Sequence, residues 1–166
     1  MPTVHMICGT LGAGKTTLAR RLASETRGVR FSLDEWIMQL FGTEAPEAMH
    51  FPWWHERAQR CSSQIWALCT QLLSHDLDVI LDFGFALRQH RAEYLALARA
   101  AGARVKLYVV SADAPVRRQR VRARNEQRTE TFALTVTDAM FDGSETWWEP
   151  PTSDELAQVE LVVVQS

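Results

Sequence analysis

The stretch GTLGAGKT, Gly9 to Thr16, decides the fold of this chain. It follows a short apolar run, Val4 to Cys8, and leads into a segment of helical character that ends near Thr26. The stretch matches the pattern G-x-x-x-x-G-K-[ST] in the strand–loop–helix setting that this pattern requires. The sequence therefore predicts a phosphate-binding P-loop at the carboxyl end of the first strand.

The residue types in this loop match the chemistry of a nucleoside triphosphate. Glycines let backbone N–H groups turn toward a phosphate, and the N-terminus of the next helix adds a partial positive charge. Lys15 can reach the β- and γ-phosphates, and the Thr16 hydroxyl can bind Mg²⁺. A Gly-rich turn with an unrelated lysine is the alternative. We expect ATP and Mg²⁺ as cofactors, with nucleotide contacts from Gly9, Thr10, Leu11, Gly12, Ala13, Gly14, Lys15, Thr16 and Thr17.

The overall composition fits a single cytoplasmic domain. The 166 residues are enough for one domain with a full core, and the formal net charge of -2 favours neither a nucleic-acid nor a membrane partner. The three cysteines include no CxxC pair, which is typical of reduced, buried thiols. We find no signal-peptide pattern and no apolar run long enough to span a bilayer. The sequence makes no prediction of the oligomeric state.

Strands and helices alternate along the chain, which predicts a three-layer α/β fold of the P-loop NTPase kind with a five-stranded parallel sheet. Apolar runs predict the strands, and helical periodicity predicts the helices. A loop or cap is expected over Gly42–Pro52. The predicted strands are Val4–Cys8, Val29–Leu33, Val79–Phe83, Val105–Val110 and Leu161–Val164, and the predicted helices are Gly14–Thr26, a stretch ending near Phe41, Glu56–Leu73, Arg88–Ala101 and Asp113 to about Arg124.

Two acidic residues end predicted strands at the edge where such sheets bind ligands. Asp34 could take the proton from an attacking hydroxyl or hold Mg²⁺ through water, and capping the next helix is its alternative role. Asp82 ends the apolar run Val79–Leu81, which is the Walker B form, and a structural acid at a strand end is the alternative. We expect Asp34 to be the catalytic base and Asp82 to join Thr16 as a metal contact. Glu35 is expected to be a solvated residue of the first helical turn.

A run of arginines follows the fourth predicted strand. At helical spacing, Arg117, Arg120, Arg124 and Arg128 share one face, where like charges repel one another unless an anion lies against them. We expect an arginine-rich lid over about residues 117–135, with Arg120 and Arg124 clamping the transferring phosphate as catalytic residues. A surface stripe paired with neighbouring glutamates, or a site for a nucleic-acid backbone, is the alternative; the acidic net charge weakens the latter.

The candidate acceptor site is the least defined part of the prediction. Arg88 and Arg91 begin the helix after the third predicted strand, where they could steer a substrate, although ordinary surface arginines fit equally well. Phe85 lies at the end of that strand and is a further candidate substrate contact, as is Asp34. The expected partner is a small molecule with a hydroxyl group, and these residues do not identify which one.

Two aromatic segments could also line a ligand site. His50–His55 includes Trp54, a candidate wall of the acceptor pocket, and a cap packed on the core is the alternative. His50 and His55 have no third ligand at a spacing that suits a metal. The segment Trp147–Pro151 is expected to pack a loop near the adenine of ATP.

Together these features resemble the small P-loop kinases grouped with the zeta-toxin and chloramphenicol phosphotransferase-like proteins, often labelled "AAA family ATPase" or "ATP-binding protein". The resemblance covers nearly the whole chain and implies that Asp34 is the base and that Arg120 and Arg124 hold ATP phosphates. Acceptors of such kinases include antibiotics, nucleotide sugars and other small hydroxyl compounds. The matching residues are Gly9–Thr16, Ser32–Trp36, Leu81–Phe85 with Arg91, Arg120 and Arg124-Asn125, and Glu149–Thr152 with Asp154-Glu155.

The sequence thus favours a phosphotransferase that moves the γ-phosphate of ATP to a hydroxyl of a small molecule such as an antibiotic, nucleotide or sugar. A switch GTPase would carry an Asn-Lys-x-Asp motif, and Lys106, the only lysine beyond the P-loop, has no such neighbours. The chain is too short for an AAA+ motor with its helical lid domain. A non-catalytic ATP-binding regulator, an ATPase and a polynucleotide-end kinase remain as alternatives.

Overall fold

The computed structural model describes residues 1–46, 51–128 and 133–166, which form a three-layer α/β fold. Within these residues, no helix combines the length and the apolar character needed to cross a bilayer. The strands are β1 (Thr3–Cys8), β2 (Gly28–Ser32), β3 (Asp78–Gly84), β4 (Arg104–Ser111) and β5 (Glu160–Gln165), and the helices are α1 (Lys15–Glu25), α2 (Leu33–Phe41), α3 (Phe51–Ser74), α4 (Arg88–Ala100), α5 (Ala114–Gln127), α6 (Asp138–Thr146) and α7 (Ser153–Leu156).

The five strands form one parallel sheet in the order β2-β3-β1-β4-β5, which confirms the predicted fold class. β1 is the central strand and is buried along its whole length. Its Val4 lies opposite Val79 of β3 and Val105 of β4. Because all strands run the same way, their carboxyl ends meet at one edge, and the P-loop leaves the middle of that edge.

Helices cover both faces of the sheet because side chains alternate between the faces along each strand. On one face, Met6 belongs to the core that β1 and β3 share with α2, α3 and α4. On the other face, Ile7 packs with residues of α1. A smaller third cluster joins α5 to α6 and consists of Val121, Val136 and Phe141.

The boundary between β2 and α2 lies one residue earlier than predicted, because α2 begins at Leu33. The Ser32 side chain caps the helix by accepting a hydrogen bond from the Glu35 amide at 3.4 Å. Asp34 therefore lies in the first turn of α2 rather than at a strand end. It remains at the carboxyl edge of the sheet, where the sequence placed it.

Other element boundaries also differ from prediction. The expected loop over Gly42–Pro52 contains a 3₁₀ turn at Gly42–Glu44, and α3 already begins at Phe51. His50 and the other residues from 47 to 50 lie outside the described part of the chain. α6 and α7 were not predicted, although Thr152 and Glu155 form a capping box at the start of α7. A Thr-x-x-Glu pattern is a sequence signal for such a helix start.

The predicted arginine face on α5 is not a continuous anion-binding surface. Arg117 is buried and pairs with Glu145 of α6, with 2.7 Å between Nη2 and Oε2. Arg118, on another face, pairs with Asp138 at 3.2 Å. Residues 129–132 of the expected lid lie outside the described part of the chain, so the lid stays a prediction. Arg120 and Arg124 are the members of the expected face that are considered further below.

Gly12 is a P-loop position where a side chain would clash with backbone. Its φ is 75°, and an added Cβ would lie 2.5 Å from the Arg117 carbonyl oxygen. We expect Gly12→Ala to lower the free energy of unfolding by about 1–3 kcal/mol. Gly143→Ala in α6 is the control, because beyond its own stretch of helix the added Cβ has no described neighbour within 4 Å. It should be neutral or stabilising by up to about 1 kcal/mol. Urea denaturation measures both, and equal effects would contradict the clash.

Candidate functional site

A backbone hydrogen bond joins the P-loop to the last residue of β3. The Gly9 N–H donates to the Gly84 carbonyl at 3.0 Å. α1 begins at Lys15, so its first N–H groups, which lack partners within the helix, face the loop. The Lys15 side chain folds back over the loop, and its Nζ donates to the Thr10 carbonyl at 2.7 Å. The loop thus presents a set of donors that suits a phosphate.

Lys15 lies in a desolvated place beside two carboxylates. Burial lowers the pKa of Lys15, and the charges of Asp82 and Asp34 oppose that effect. These three residues come from α1, β3 and α2, which are distant in sequence. The structure therefore brings together the predicted phosphate-binding lysine, metal contact and base.

Asp34 combines solvent access with a raised pKa. Asp34 is an exposed residue of α2, so a substrate can reach it. Desolvation of its carboxyl group by the surrounding protein and the negative charge of Asp82 raise the pKa of Asp34 to about 6. Lys15 and Arg124 oppose the rise. A carboxyl that titrates near neutrality suits a general base, because it is ionised at neutral pH and still accepts a proton readily.

Asp82 is buried in β3, two residues before the end of the strand, and interacts with Thr16 and Arg30. Burial raises the pKa of Asp82, while Lys15, a hydrogen bond with the Thr16 side chain and Arg30 lower it. The Thr16 hydroxyl and the Asp82 carboxylate are the hard oxygen ligands that Mg²⁺ prefers. No group of three or more His, Cys, Asp or Glu residues in the described chain could hold a metal alone. That fits Mg²⁺, which commonly takes its other ligands from water and phosphate.

Arg30 is a site residue that the sequence reasoning missed. From β2 its Nη1 donates to Asp82 Oδ2 at 3.2 Å, and its Nη2 donates to both Glu35 oxygens at 2.7 and 2.6 Å. Arg20 of α1 adds a second cation 3.7 Å from Glu35. The expectation that Glu35 is merely solvated is therefore wrong, because its carboxylate connects α2 to β2 and α1. An arginine inside a short strand was the available sequence signal.

Arg124 of α5 faces the same group of charges. Burial lowers the pKa of Arg124, and the charge of Asp34 opposes this. The Arg124 Nε is buried and lacks a hydrogen-bond partner among the described residues. A buried donor without a partner costs free energy, which an anion bound beside it would offset. The position of Arg124 thus fits the predicted phosphate clamp.

A cleft of about 340 Å³ lies beside the P-loop and is called the loop cleft. Arg120 borders it, and its Nη1 donates to the Ser166 hydroxyl at 2.9 Å. That hydroxyl donates in turn to the Ala13 carbonyl at 2.7 Å. The volume of the loop cleft lies within the usual range of small-molecule pockets. The lining residues are Gly14, Thr17, Leu18, Arg21, Val110, Arg120, Val164 and Ser166.

A second cleft, of about 460 Å³, opens along one face of α2 and is called the α2 cleft. Glu35 lines it, so it begins at the residue next to the candidate base Asp34. Its other polar side chains are Gln39 and Thr43. Met38, Gly42 and Ala133 complete the lining. The sequence reasoning did not identify this cleft, because its walls come from a helix face and a distant loop.

The predicted substrate contacts Phe85 and Arg91 are not accessible in the structure. Phe85 is fully buried among aromatic rings, and Arg91 is buried with its Nε bound to Glu155 at 2.8 Å. Trp54 is half-buried and packs against the core on the α3 side of the sheet. Arg88 is exposed and lies 3.8 Å from Glu155. Of these four candidate substrate contacts, only Trp54 and Arg88 have exposed surface that a substrate could reach.

The segment Trp147–Pro151 is not among the residues that line the loop cleft, and its expected place near the adenine stays a prediction. Instead, the Glu149 N–H donates to the Ala86 carbonyl at 3.0 Å, and the Glu149 side chain accepts from the Arg88 amide at 2.6 Å. These bonds attach the segment to the turn between β3 and α4. The two-residue sequence Trp-Trp gave no information about that attachment.

Comparison with known proteins shows the family to which the chain belongs. Residues 4–151 match the family described as AAA domain, and the chain belongs to this family. A search of curated proteins found no match.

Solved structures of similar fold are related at low sequence identity. Kti12 from Chaetomium thermophilum, in complex with ADP-AlF3, is 19% identical with a TM-score of 0.72, covering 98% of this chain and 88% of that one. A putative kinase from Chloroflexus aurantiacus is 18% identical with a TM-score of 0.77, covering 99% and 88%. A gluconokinase from Sinorhizobium meliloti is 16% identical with a TM-score of 0.57, covering 99% and 82%. The neighbours thus share the P-loop kinase fold. They do not show that the chain belongs to the zeta-toxin and chloramphenicol phosphotransferase-like group.

The raised pKa of Asp34 predicts a stability effect with a defined sign. The folded state binds this proton more tightly than the unfolded chain, whose carboxyl has the ordinary value of 3.8. Raising the pH through about 6 therefore costs stability through Asp34. We expect Asp34→Asn to be more stable than the wild type at pH 8 without ligand, with the gain disappearing toward pH 4. Thermal unfolding across this pH range measures it.

Asp138→Asn is a control of opposite sign. Hydrogen bonds from Arg122 and Arg118 hold the pKa of Asp138 below its ordinary value. Its stabilising effect is therefore present at neutral pH and lost as the pH falls, so this variant should be the less stable one at pH 8. A destabilised Asp34→Asn at pH 8 would contradict the desolvated environment assigned to Asp34.

Proposed function

We propose that this member of the AAA domain family is an ATP- and Mg²⁺-dependent phosphotransferase that acts on a hydroxyl group of a small molecule. The observation that carries the proposal is the position of Asp34. It is exposed, has a pKa raised to about 6, and interacts with the P-loop lysine and with Arg124. A nucleotide-binding site that serves only to sense ATP needs no such accessible base.

The P-loop and α5 would hold the donor. Loop amides and Lys15 bind the β- and γ-phosphates, and Arg124 approaches from the opposite side as the transferring group gains charge. The loop cleft, with Thr17 and Arg120 in its wall, receives the nucleoside part of ATP. Lys15 releases its bond to the Thr10 carbonyl when the phosphate takes its place.

Thr16 and Asp82 would hold Mg²⁺ through their oxygen atoms. The bound ion supplies neutralisation of the charge on the phosphate oxygens. Arg30 binds Oδ2 of Asp82 and so leaves Oδ1 as the oxygen for this role. Thr16 already lies within hydrogen-bonding reach of Asp82, so the two side chains are oriented together.

Asp34 would act as the general base of the transfer. The acceptor hydroxyl loses its proton to the Asp34 carboxylate while its oxygen bonds to the γ-phosphorus. The bond from that phosphorus to the bridging oxygen breaks, and ADP leaves with that electron pair. Lys15 and Arg124 stabilise the charge on the transferring group, and closure of the site around ATP would exclude the water that competes with the acceptor.

The α2 cleft is the proposed entrance for the acceptor, because it begins beside Asp34. Antibiotics, nucleotides and sugars fit the resemblance to the zeta-toxin and chloramphenicol phosphotransferase-like group, to which we assign the chain as part of this proposal. We place the protein in the cytoplasm, where its buried cysteines Cys8, Cys61 and Cys69 would stay reduced.

An ATPase without an acceptor is the second candidate. The similarity in fold to Kti12, whose structure was solved with ADP-AlF3, supports this candidate. It would use the same donor residues, with water in place of the hydroxyl. The product separates the two candidates, because a kinase forms a phosphate ester and an ATPase releases inorganic phosphate.

Lys15→Ala should weaken ATP binding by about tenfold or more, since it removes a charge-assisted contact to phosphate. Lys106→Ala is the matched control, because Lys106 is the only other lysine and its Nζ binds Glu160 at 2.7 Å, away from the P-loop. Calorimetric titration with ATP and Mg²⁺ measures both affinities. Equal affinities of the two variants would overturn the P-loop assignment.

The rate of phosphate transfer should depend on the ionisation of Asp34. We expect kcat/KM to fall as the pH drops through about 6, because the free enzyme then loses its base. Asp34→Asn should lower kcat by about 100-fold or more while ATP still binds, and its residual rate should lack this acidic limb. An unchanged acidic limb in Asp34→Asn would assign the titration to another group.

A further inference from the structure

Two arginines are buried in the described part of the chain, Arg91 on α4 and Arg117 on α5, with 3% and 5% of their surface exposed. The proposed transfer uses neither of them. A buried arginine needs partners for its charge and for its five donors. Each arginine binds a glutamate from the segment 145–155 and a backbone carbonyl near the phosphate site. For Arg117 the carbonyl belongs to the P-loop, and for Arg91 it belongs to the turn between β3 and α4.

Arg117 connects the P-loop to α6. Its Nη1 donates to Glu145 Oε1 at 2.8 Å and to the Leu11 carbonyl at 3.2 Å, and its Nη2 donates to Glu145 Oε2 at 2.7 Å. The Arg117 Nε donates to the Ala112 carbonyl at 2.9 Å. The backbone of Arg117 also lies against Gly12, as the close approach described above requires. The side chain and the backbone of one residue thus support the tip of the loop.

Arg91 makes an equivalent connection between the turn after β3 and α7. Its Nε and Nη2 donate to the two Glu155 oxygens at 2.8 and 3.2 Å. Its Nη1 donates to the carbonyls of Phe85 at 2.9 Å and Ala86 at 3.2 Å. Glu155 is itself held by the capping box with Thr152.

The turn that Arg91 holds has a strained backbone and touches the P-loop. Gly84 and Phe85 have φ values of 78° and 44°, and a left-handed conformation at a bulky residue costs about 1–3 kcal/mol unless the surroundings impose it. Gly84 accepts the Gly9 N–H, and a Cβ at Gly84 would lie 3.5 Å from Lys15 Cε. Relaxation of this turn would therefore displace one wall of the phosphate site.

We propose that Arg91 and Arg117 are positioning residues that hold the two turns around the phosphates of the bound nucleotide. The segment 145–155 anchors both arginines through Glu155 and Glu145. A planar guanidinium with two parallel bonds fixes direction as well as distance, which a lysine cannot do. The inference rests on nucleotide binding by the P-loop, and it is independent of the acceptor.

Simple stabilisation of the fold by two ion pairs is the competing explanation. Replacing a buried ion pair by two apolar side chains of similar size is often neutral or stabilising, whereas removing one partner leaves a buried charge. The paired variants Arg117→Met with Glu145→Met, and Arg91→Met with Glu155→Met, therefore remove the carbonyl bonds without leaving a buried unpaired charge. The second pair also removes the capping bond from Thr152 and the contact with the exposed Arg88. They separate a role in positioning from a role in stability.

Calorimetric titration with ATP and Mg²⁺, with thermal unfolding in parallel, tests the proposal. Each Met pair should unfold within a few degrees of the wild type yet bind ATP about tenfold more weakly, as expected for loss of a charged hydrogen bond that orders the site. Arg118→Met is the control for α5, because Arg118 binds Asp138 and Asp142 of α6 without contacting the P-loop. Arg99→Met is the control for α4, because Arg99 binds Gln158. Both controls should bind ATP within about twofold of the wild type.

If both Met pairs fold and bind ATP with wild-type affinity, the proposal is overturned, and the two arginines have a role in packing only. If a Met pair does not fold, Arg117→Lys and Arg91→Lys replace it, because they keep the charge and lose the fork. Weaker ATP binding by these lysine variants supports positioning, and unchanged binding overturns it. ATP binding that Lys15→Ala leaves intact would instead overturn the P-loop assignment, and this inference with it.

Discussion

The site depends on holding one amine and two carboxylates together where water is partly excluded. Lys15, Asp34 and Asp82 come from three elements, and the carboxyl edge of a parallel sheet is the place where those elements meet. Burial alone would favour neutral forms of all three groups, lowering the pKa of Lys15 and raising those of Asp34 and Asp82. The attraction between Lys15 and the two carboxylates opposes that effect, while Asp82 adds to the rise for Asp34, whose pKa is about 6. Desolvation of these groups opposes folding, and the same desolvation raises the pKa of Asp34 to a value that suits a proposed general base.

The rest of the molecule supports that balance from outside. Arg30 donates hydrogen bonds to Asp82 and Glu35 from the neighbouring strand, and Arg124 of α5 interacts with Asp34. The segment 145–155 supplies glutamates to the two buried arginines, so a region that carries no reacting group contacts both turns around the phosphates. Large, fully buried side chains such as Met6, Ile7 and Leu81 offset the cost of this charged edge by packing on both faces of the sheet.

Features with a local cause could be predicted from the sequence. GTLGAGKT between an apolar run and a helix predicted the loop, and the alternation of elements predicted the parallel sheet. Asp34 and Asp82 were identified because strand ends converge at one edge. The distant carboxylate partners of the three arginines could not be predicted, because each depends on a contact across 28 residues or more of sequence. These pairs are Arg30 with Asp82, Arg91 with Glu155 and Arg117 with Glu145. The same limit applies to Phe85, whose apolar character reads equally well as a pocket wall or as core.

Product analysis tests the proposed phosphotransfer most directly. Wild-type protein and Asp34→Asn are incubated with ATP, Mg²⁺ and a panel of hydroxyl-bearing antibiotics, nucleotides and sugars, and phosphorus NMR with mass spectrometry identifies where the γ-phosphate goes. We predict a phosphate monoester of one acceptor class with the wild type, formed about 100-fold or more slowly by Asp34→Asn, although both bind ATP. Release of inorganic phosphate alone, at the same rate from both proteins and with every acceptor, would contradict the role of Asp34 as the base of a kinase.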